Sequence, residues 1–159
     1  MEIRSIGPGD AAWVSGALVE HFASPRIVSR GVLHQADTLP GLVAVAATDP
    51  VGFLLYERRA DACEVVALVS LREGRGVATA LLDAVRRTAQ AAGCRRLWLT
   101  TTNDNVAAIA FYERRGWTRC ATRKGAMVEA RKLKPELPER GHGGVPIRDE
   151  IEFELRLGP

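Results

Sequence analysis

The chain has little that would hold a small protein together covalently. Cysteine occurs 3 times in 159 residues, at Cys63, Cys94 and Cys120, an odd count with no C-x-x-C pair. That spacing suggests neither a zinc site nor a disulfide framework. The three read as small buried hydrophobes in a reducing cytosol. Long apolar runs are also missing: Leu42 to Ala47 is typical, far short of the about 18 residues a bilayer span needs. The first ten residues, M-E-I-R-S-I-G-P-G-D, contain no apolar stretch of signal-peptide type. Neither sign of charge dominates, since 22 Lys+Arg against 19 Asp+Glu leaves a net +3. That balance permits a polyanionic partner without requiring one, and no nucleic-acid-binding motif occurs. Repeats, low-complexity tracts and dividing linkers are absent as well. The expectation is one cytoplasmic domain over 1–159 with no membrane, nucleic-acid or metal partner.

What is present is ordinary globular material, 47% hydrophobic and 26% charged, enough to bury a core unaided. Glu2 to Ile6 alternates as a strand, and Asp10 opens a helix to about Phe22. Ser24 to Pro40 is broken by Pro25, Gly31 and Pro40, and reads as irregular with a short helix. Leu42–Thr48 and Val51–Arg59 form a hairpin around Asp49-Pro50. Cys63–Leu71 is apolar on both faces after Glu64, as a central strand should be. Val77 to Ala92 is an amphipathic helix stopped by Gly93. A strand over Arg96–Thr101, a helix over Val106–Arg115 and a strand over Trp117–Thr122 follow. An insertion at about 125–148 comes next. Its helix-like Gly125–Lys134 has Met127, Val128 and Leu133 as an apolar stripe. It reads as a wall of a substrate cleft, with packing on its own sheet or a homodimer contact as the alternatives. The last strand puts Ile151, Phe153, Leu155 and Leu157 on one face. Glu150, Glu152, Glu154 and Arg156 fall on the other, read as solvated. The pattern is a mixed α+β sheet carrying helices.

Two stretches carry chemistry. In the first, a buried strand ending Leu68-Val69-Ser70 runs through Glu73-Gly-Arg-Gly76 directly into the helix Val77-Ala78-Thr79. Gly74 and Gly76 let the backbone turn sharply and leave no Cβ in a ligand's way. The free N–H groups and positive dipole end of the helix's first turn suit a pyrophosphate, and Arg72 and Arg75 flank them. Neither the P-loop pattern nor the full dinucleotide fingerprint is present. In the second, N-D-N-V-A-A-I-A-F-Y-E-R-R-G-W over 103–117, helical spacing stacks Asn105, Ala108 and Tyr112 on one stripe.

Together the two stretches resemble the GNAT superfamily of acetyl-CoA-dependent N-acyltransferases. The first is similar to its pyrophosphate signature and the second to its N-x-N…A…F-Y-x-x-x-G-[F/W] segment. The resemblance covers about residues 2–122, and the final strand fits it too. It implies a mostly antiparallel sheet splayed between two middle strands and flanked by helices. It implies acetyl-CoA as cosubstrate, held by Leu68, Val69, Ser70, Glu73, Gly74, Arg75, Gly76, Val77, Ala78, Thr79, Asn105, Ala108 and Tyr112. Glu73 departs from the family's Gln or Arg, and must point away from phosphate or pair with Arg72 or Arg75.

The reaction implied is direct attack of a small-molecule or peptide amine on the thioester. An alkylammonium titrates near about 10.4, so the site must remove a proton. The resemblance assigns a backbone N–H of Leu68 or Val69 to the oxyanion and Tyr112 to the departing sulfur. Glu64, at the head of the central strand, lies near the position where some relatives carry a catalytic carboxylate. A strand-end carboxylate in solvent or in an ion pair is the alternative for Glu64, and His21, His34 or a base acting through water are its rivals. His142 reads as solvated. A non-catalytic acyl-CoA-binding regulator on the same fold is the second functional reading.

Overall fold

The computed structural model describes residues 1–158. Its elements in chain order begin with β1 (Glu2–Ser5), α1 (Ala11–Phe22), β2 (Arg26–Ser29) and β3 (Val32–Gln35). β4 (Gly41–Ala46), β5 (Asp49–Arg59), β6 (Ala62–Ser70) and α2 (Val77–Ala91) follow. β7 (Arg96–Thr102), α3 (Val106–Arg114), β8 (Thr118–Arg123), α4 (Ala126–Leu133) and β9 (Glu150–Arg156) complete the series. Seven strands form one sheet in the order β1-β4-β5-β6-β7-β9-β8, and β2–β3 form a separate hairpin. Every pairing is antiparallel except β6 with β7. The architecture is the mixed, mostly antiparallel α+β sheet that the sequence implies.

Period-two alternation sends the two faces of the sheet into two cores. Cys63, Val65, Leu97, Leu99 and Phe153 pack with α2, Tyr112 and Trp117 on one face. Val43, Phe53, Val66 and Val69 pack with Val14 and Leu18 of α1 on the other. Both α2 and α3 therefore lie across the sheet from α1.

The feature that positions the site is a break in the middle of the sheet. β6 and β7 pair only through Ala62↔Arg96, Cys63↔Leu97 and Glu64↔Trp98. Beyond that point β6 continues against β5 alone, and β7 against β9 alone. The cause lies on β6: Leu55 faces Ala67 while Tyr56 faces Val65, leaving Val66 as an extra residue. Such a bulge bends its strand and sharpens the twist, and here it leads β6 away from β7 immediately after Glu64.

Four readings of the sequence are corrected. The segment read as irregular holds the β2–β3 hairpin, whose two-residue turn is Arg30-Gly31. Both turn residues have positive φ, 51° and 75°, as a type I′ hairpin turn requires. Arg30 is a poor residue for that conformation, but its N–H is fixed by Glu150 Oε2 at 3.1 Å. The β4–β5 turn is Ala47-Thr48, not Asp49-Pro50, since Ala46 already pairs with Asp49. Pro50 is tolerated within β5 because it sits next to a bulge. Of the three cysteines, Cys63 and Cys94 are buried but Cys120 is exposed. Finally, the polar face of β9 is solvated only at its end: Arg156 is exposed, whereas Glu150 and Glu152 are each 4% exposed.

Candidate active site

The turn after β6 leaves the start of α2 without a side-chain cap. Gly74 and Gly76 both adopt φ of +73°, a conformation that glycine takes without Cβ strain. Gly76 is the N-cap of α2 and has no side chain to occupy the first-turn N–H groups. The amides at the start of α2, including Val77, Ala78 and Thr79, are therefore available to an anionic ligand. Glu73 is exposed and forms no ion pair with Arg72 or Arg75 among the described residues, Arg72 pairing instead with Asp49 at 3.6 Å. A cation the sequence reading missed stands at the same place. Arg115, just past α3, donates from Nε to Thr79 Oγ1 at 2.9 Å. Its guanidinium lies 3.7 Å from the centroid of the Phe111 ring. Only the tertiary fold brings α3's end to α2's start, so no spacing in the sequence signals it.

α3 carries the second half of the predicted set. Asn105 is its N-cap, with Oδ1 accepting from the Ala108 N–H at 3.3 Å. Tyr112 is 8% exposed. Its ring lies 5.6 Å from those of Trp117 and Phe153 and 5.4 Å from that of Phe111. Burial pushes its phenol up to about 12. Such a group is a hydrogen-bond donor at neutral pH and a reluctant proton donor.

Glu64 lies on the α1 face of the sheet, at the last paired position before β6 and β7 separate. It is 6% exposed, and its Oε2 has no hydrogen-bond partner among the described residues. Burial, helped by the nearby Glu57 and Glu150 charges, raises its carboxyl to about 7. His34 of β3 is buried beside it, with Nε2 at 3.5 Å from Glu64 Oε1 and Nδ1 at 3.0 Å from Glu57 Oε2. His21 and His142 are exposed and lie in other elements.

Arginines from three distant segments compensate the other buried carboxylates. Arg123 donates to Glu150 at 3.0 Å and to Glu152 at 2.6 Å, and Arg96 bonds both Glu152 and Glu154. Arg30 reaches Glu152 at 3.6 Å. Burial alone would raise the Glu152 carboxyl, but hydrogen bonds from Arg123 and Arg96 outweigh it and hold it below its ordinary value. Glu64 has no such arginine hydrogen bond, which separates it chemically from its neighbours.

The gap between β6 and β7 opens into a cleft of about 870 Å³ on the α1 face. Val66, Thr100, Asn105 and Glu150 line it near the gap, and Met127, Lys134 and His142 of the insertion supply further wall. The insertion helix buries Met127 and Ala130 against Ile147. Val128 and Leu133 remain 60% and 40% exposed, so only part of the expected apolar stripe is covered. The insertion is fastened to the strand-to-helix turn that precedes α3. Asn103 Oδ1 accepts from the N–H groups of Arg148 and Asp149 at 2.9 and 3.0 Å. Its Nδ2 donates to Pro146 O at 2.9 Å. Asp104, 4% exposed, accepts from the His142 N–H at 3.1 Å, with Gly141 packed so closely that a Cβ there would collide with it. The first two letters of the N-D-N motif thus hold the insertion, and the third caps α3.

Comparison with known proteins agrees with this geometry. Residues 16–117 match the model of the Acetyltransferase (GNAT) family. YdhI, an uncharacterized protein of Bacillus subtilis, is 41% identical over 135 residues, 84% of each chain. Acetyltransferase SG1711 of Sodalis glossinidius is 29% identical over 122 residues, 72% of this chain and 84% of that one. A GNAT family acetyltransferase from Elizabethkingia anophelis, solved with acetyl-CoA bound, superposes with a TM-score of 0.73. That match has 16% identity and covers 98% of this chain and 97% of the other. With a split central sheet, a glycine-turned helix start beside the split and a matching family model, this chain belongs to the GNAT family of N-acetyltransferases.

Proposed function

We propose that the protein transfers the acetyl group of acetyl-CoA to a primary amine by direct attack, without an acyl-enzyme. The observation that carries this reading is the split between β6 and β7. It joins an uncapped helix start and Tyr112 on the α2–α3 face to a buried carboxylate, Glu64, on the α1 face. The pyrophosphate rests on the first turn of α2, with Arg115 and Arg75 nearby. The thioester reaches the split past Asn105 and Ala108. An amine entering from the 870 Å³ cleft meets it there.

Each step then has a group to serve it. Glu64, as carboxylate, takes a proton from the incoming ammonium and frees the nitrogen lone pair. Nitrogen attacks the thioester carbon, and the oxygen becomes an oxyanion. Past Glu64, the backbone groups of β6 that face away from β5 have no strand partner. The N–H of Leu68 or Val69 supplies the oxyanion's donor. As the tetrahedral species collapses, the C–S bond breaks and the Tyr112 hydroxyl hydrogen-bonds the departing sulfur. The nitrogen loses its second proton, and the products are the amide, the CoA thiol and one proton to solvent.

Because the Tyr112 phenol is raised to about 12, its contribution is a hydrogen bond to developing negative charge. Such a bond is worth roughly 1.5–3 kcal/mol. Tyr112→Phe is therefore expected to lower kcat by roughly 10- to 100-fold while leaving the KM for acetyl-CoA nearly unchanged. Steady-state kinetics with acetyl-CoA and a saturating amine measure this. An unchanged kcat would reassign Tyr112 to packing against Trp117 and Phe153.

A further inference from the structure

The wall that the insertion adds to the cleft holds positive charge without carboxylate partners. Lys134, which ends α4, is 2% exposed, and its ammonium donates to the Phe22 carbonyl oxygen at 2.6 Å. The carboxylate whose charge reaches it, Glu136, is already held at two points by Arg26, at 2.9 Å each. Arg140 donates to the Gly144 carbonyl oxygen at 3.0 Å. Neither Lys134 nor Arg140 forms an ion pair among the described residues. Both line the cleft, as do His21 and His142.

Two of the three acidic groups of the same cleft are committed elsewhere. Asp104 accepts from Thr102 Oγ1 and the His142 N–H. Glu150 accepts from Arg123 and the Arg30 N–H. Glu20, exposed near the end of α1, is the other carboxylate on the lining. A buried ammonium facing a single carbonyl is in a costly environment, and burial pulls Lys134 below the ordinary lysine value. Capping the C-terminal end of α1 accounts for one of its three N–H donors, and the Arg26-held Glu136 offsets the charge without forming an ion pair with it.

The geometry points to an acceptor that carries a carboxylate beside its amine, an amino acid or similar small amino acid-like compound. The amine is presented to Glu64 at the split, and the carboxylate is received by Lys134 with help from Arg140. Lys134 is then a specificity residue of the acceptor site. This inference rests on the acetyl-transfer reading and narrows its substrate class.

The test compares amino acids with their decarboxylated amines in the intact protein with acetyl-CoA: phenylalanine with phenethylamine, leucine with isopentylamine, histidine with histamine, lysine with cadaverine. At least one amino acid is expected to exceed its amine in kcat/KM by about 10- to 100-fold, the range of a charge-assisted hydrogen bond. Lys134→Met is expected to lower kcat/KM for the amino acid far more than for its amine, so that the ratio between them collapses. A purely structural role in capping α1 would lower both substrates together. Arg140→Gln, at an exposed position, reduces the same ratio and serves if Lys134→Met does not fold. Equal or better turnover of the amine in all four pairs, or a preference that survives both substitutions, overturns the inference while acetyl transfer stands. If none of the eight compounds is turned over, calorimetry with CoA present compares N-acetylphenylalanine with N-acetylphenethylamine. Preferential binding of the acid supports the inference, and absence of that preference overturns it.

Discussion

Gly76→Asp is expected to abolish the stabilisation that acetyl-CoA gives the native protein. A ligand present at a hundredfold its Kd stabilises by about 2.7 kcal/mol, which for a chain of this size is a Tm rise of roughly 5–10 °C. The new carboxylate would stand at the N-cap of α2, where the pyrophosphate must approach the first-turn amides, and would both occupy and repel. Two effects need separating, because Gly76 has φ of +73° and any side chain there is strained. Gly76→Ala carries the same strain without charge, and no atom lies within 4 Å of the added Cβ. The alanine variant should therefore lose some intrinsic stability yet keep most of its acetyl-CoA shift, and the aspartate variant should lose the shift itself. Thermal melts of the three proteins with and without acetyl-CoA decide it. Equal shifts in all three would remove this turn from the cofactor site.

The second large effect concerns Glu64. Glu64→Gln is expected to lower kcat about 10²- to 10⁴-fold, the usual contribution of a general base. The wild-type rate should fall as pH drops through about 7, where the raised Glu64 carboxyl takes up its proton and can no longer accept one from the substrate. In the glutamine variant that acid limb should disappear. Stability should move the opposite way. A carboxyl raised from 4.5 to about 7 on folding binds its proton more tightly in the native state. Its stabilising contribution is complete below pH 4.5 and is lost as pH rises through 7. At pH 8 the wild type buries a charge that glutamine does not, so Glu64→Gln should melt higher there, with the difference vanishing near pH 4. A slower enzyme that is also more stable would identify a residue kept for chemistry. An unchanged kcat would leave Glu64 as part of the ionic network around His34 and Glu57.

Much of this was legible in the sequence because local signals and global fold agree. The alternation in β1 and β9, the stripe of α2 and the glycine stops after α2 and α3 each carry their own structural signal. Gly74 and Gly76 announced a turn that the backbone needs at positive φ. Other features depended on partners far along the chain. The β9 alternation showed that two faces differ, but not that the polar one is covered. The arginines at 30, 96 and 123 that pair with its glutamates come from β7, β8 and the hairpin turn. The β2–β3 hairpin was hidden because its turn is Arg30-Gly31, not an asparagine–glycine pair, and its strain is offset by Glu150, some 120 residues away. Arg115 and Lys134 were invisible for the same reason: each meets its partner, Thr79 or Phe22, only through the tertiary fold. In the sequence the N-D-N motif signals only the opening of a helix. Asn103 and Asp104 hold an insertion whose path the sequence does not reveal.

The reading that competes most directly is a protein that binds acetyl-CoA on this fold without turning it over. The buried Glu64 at the split argues for chemistry, because it is not needed to hold a pyrophosphate. The decisive measurement is CoA thiol release from acetyl-CoA, followed with a thiol reagent in the presence of primary amines and amino acids. Glu64→Gln runs alongside as the control. The account predicts amine-dependent thiol release, matched mole for mole by acetylated amine, that falls at least a hundredfold in the variant. Tight acetyl-CoA binding with no amine-dependent release, or release that Glu64→Gln leaves untouched, would contradict it.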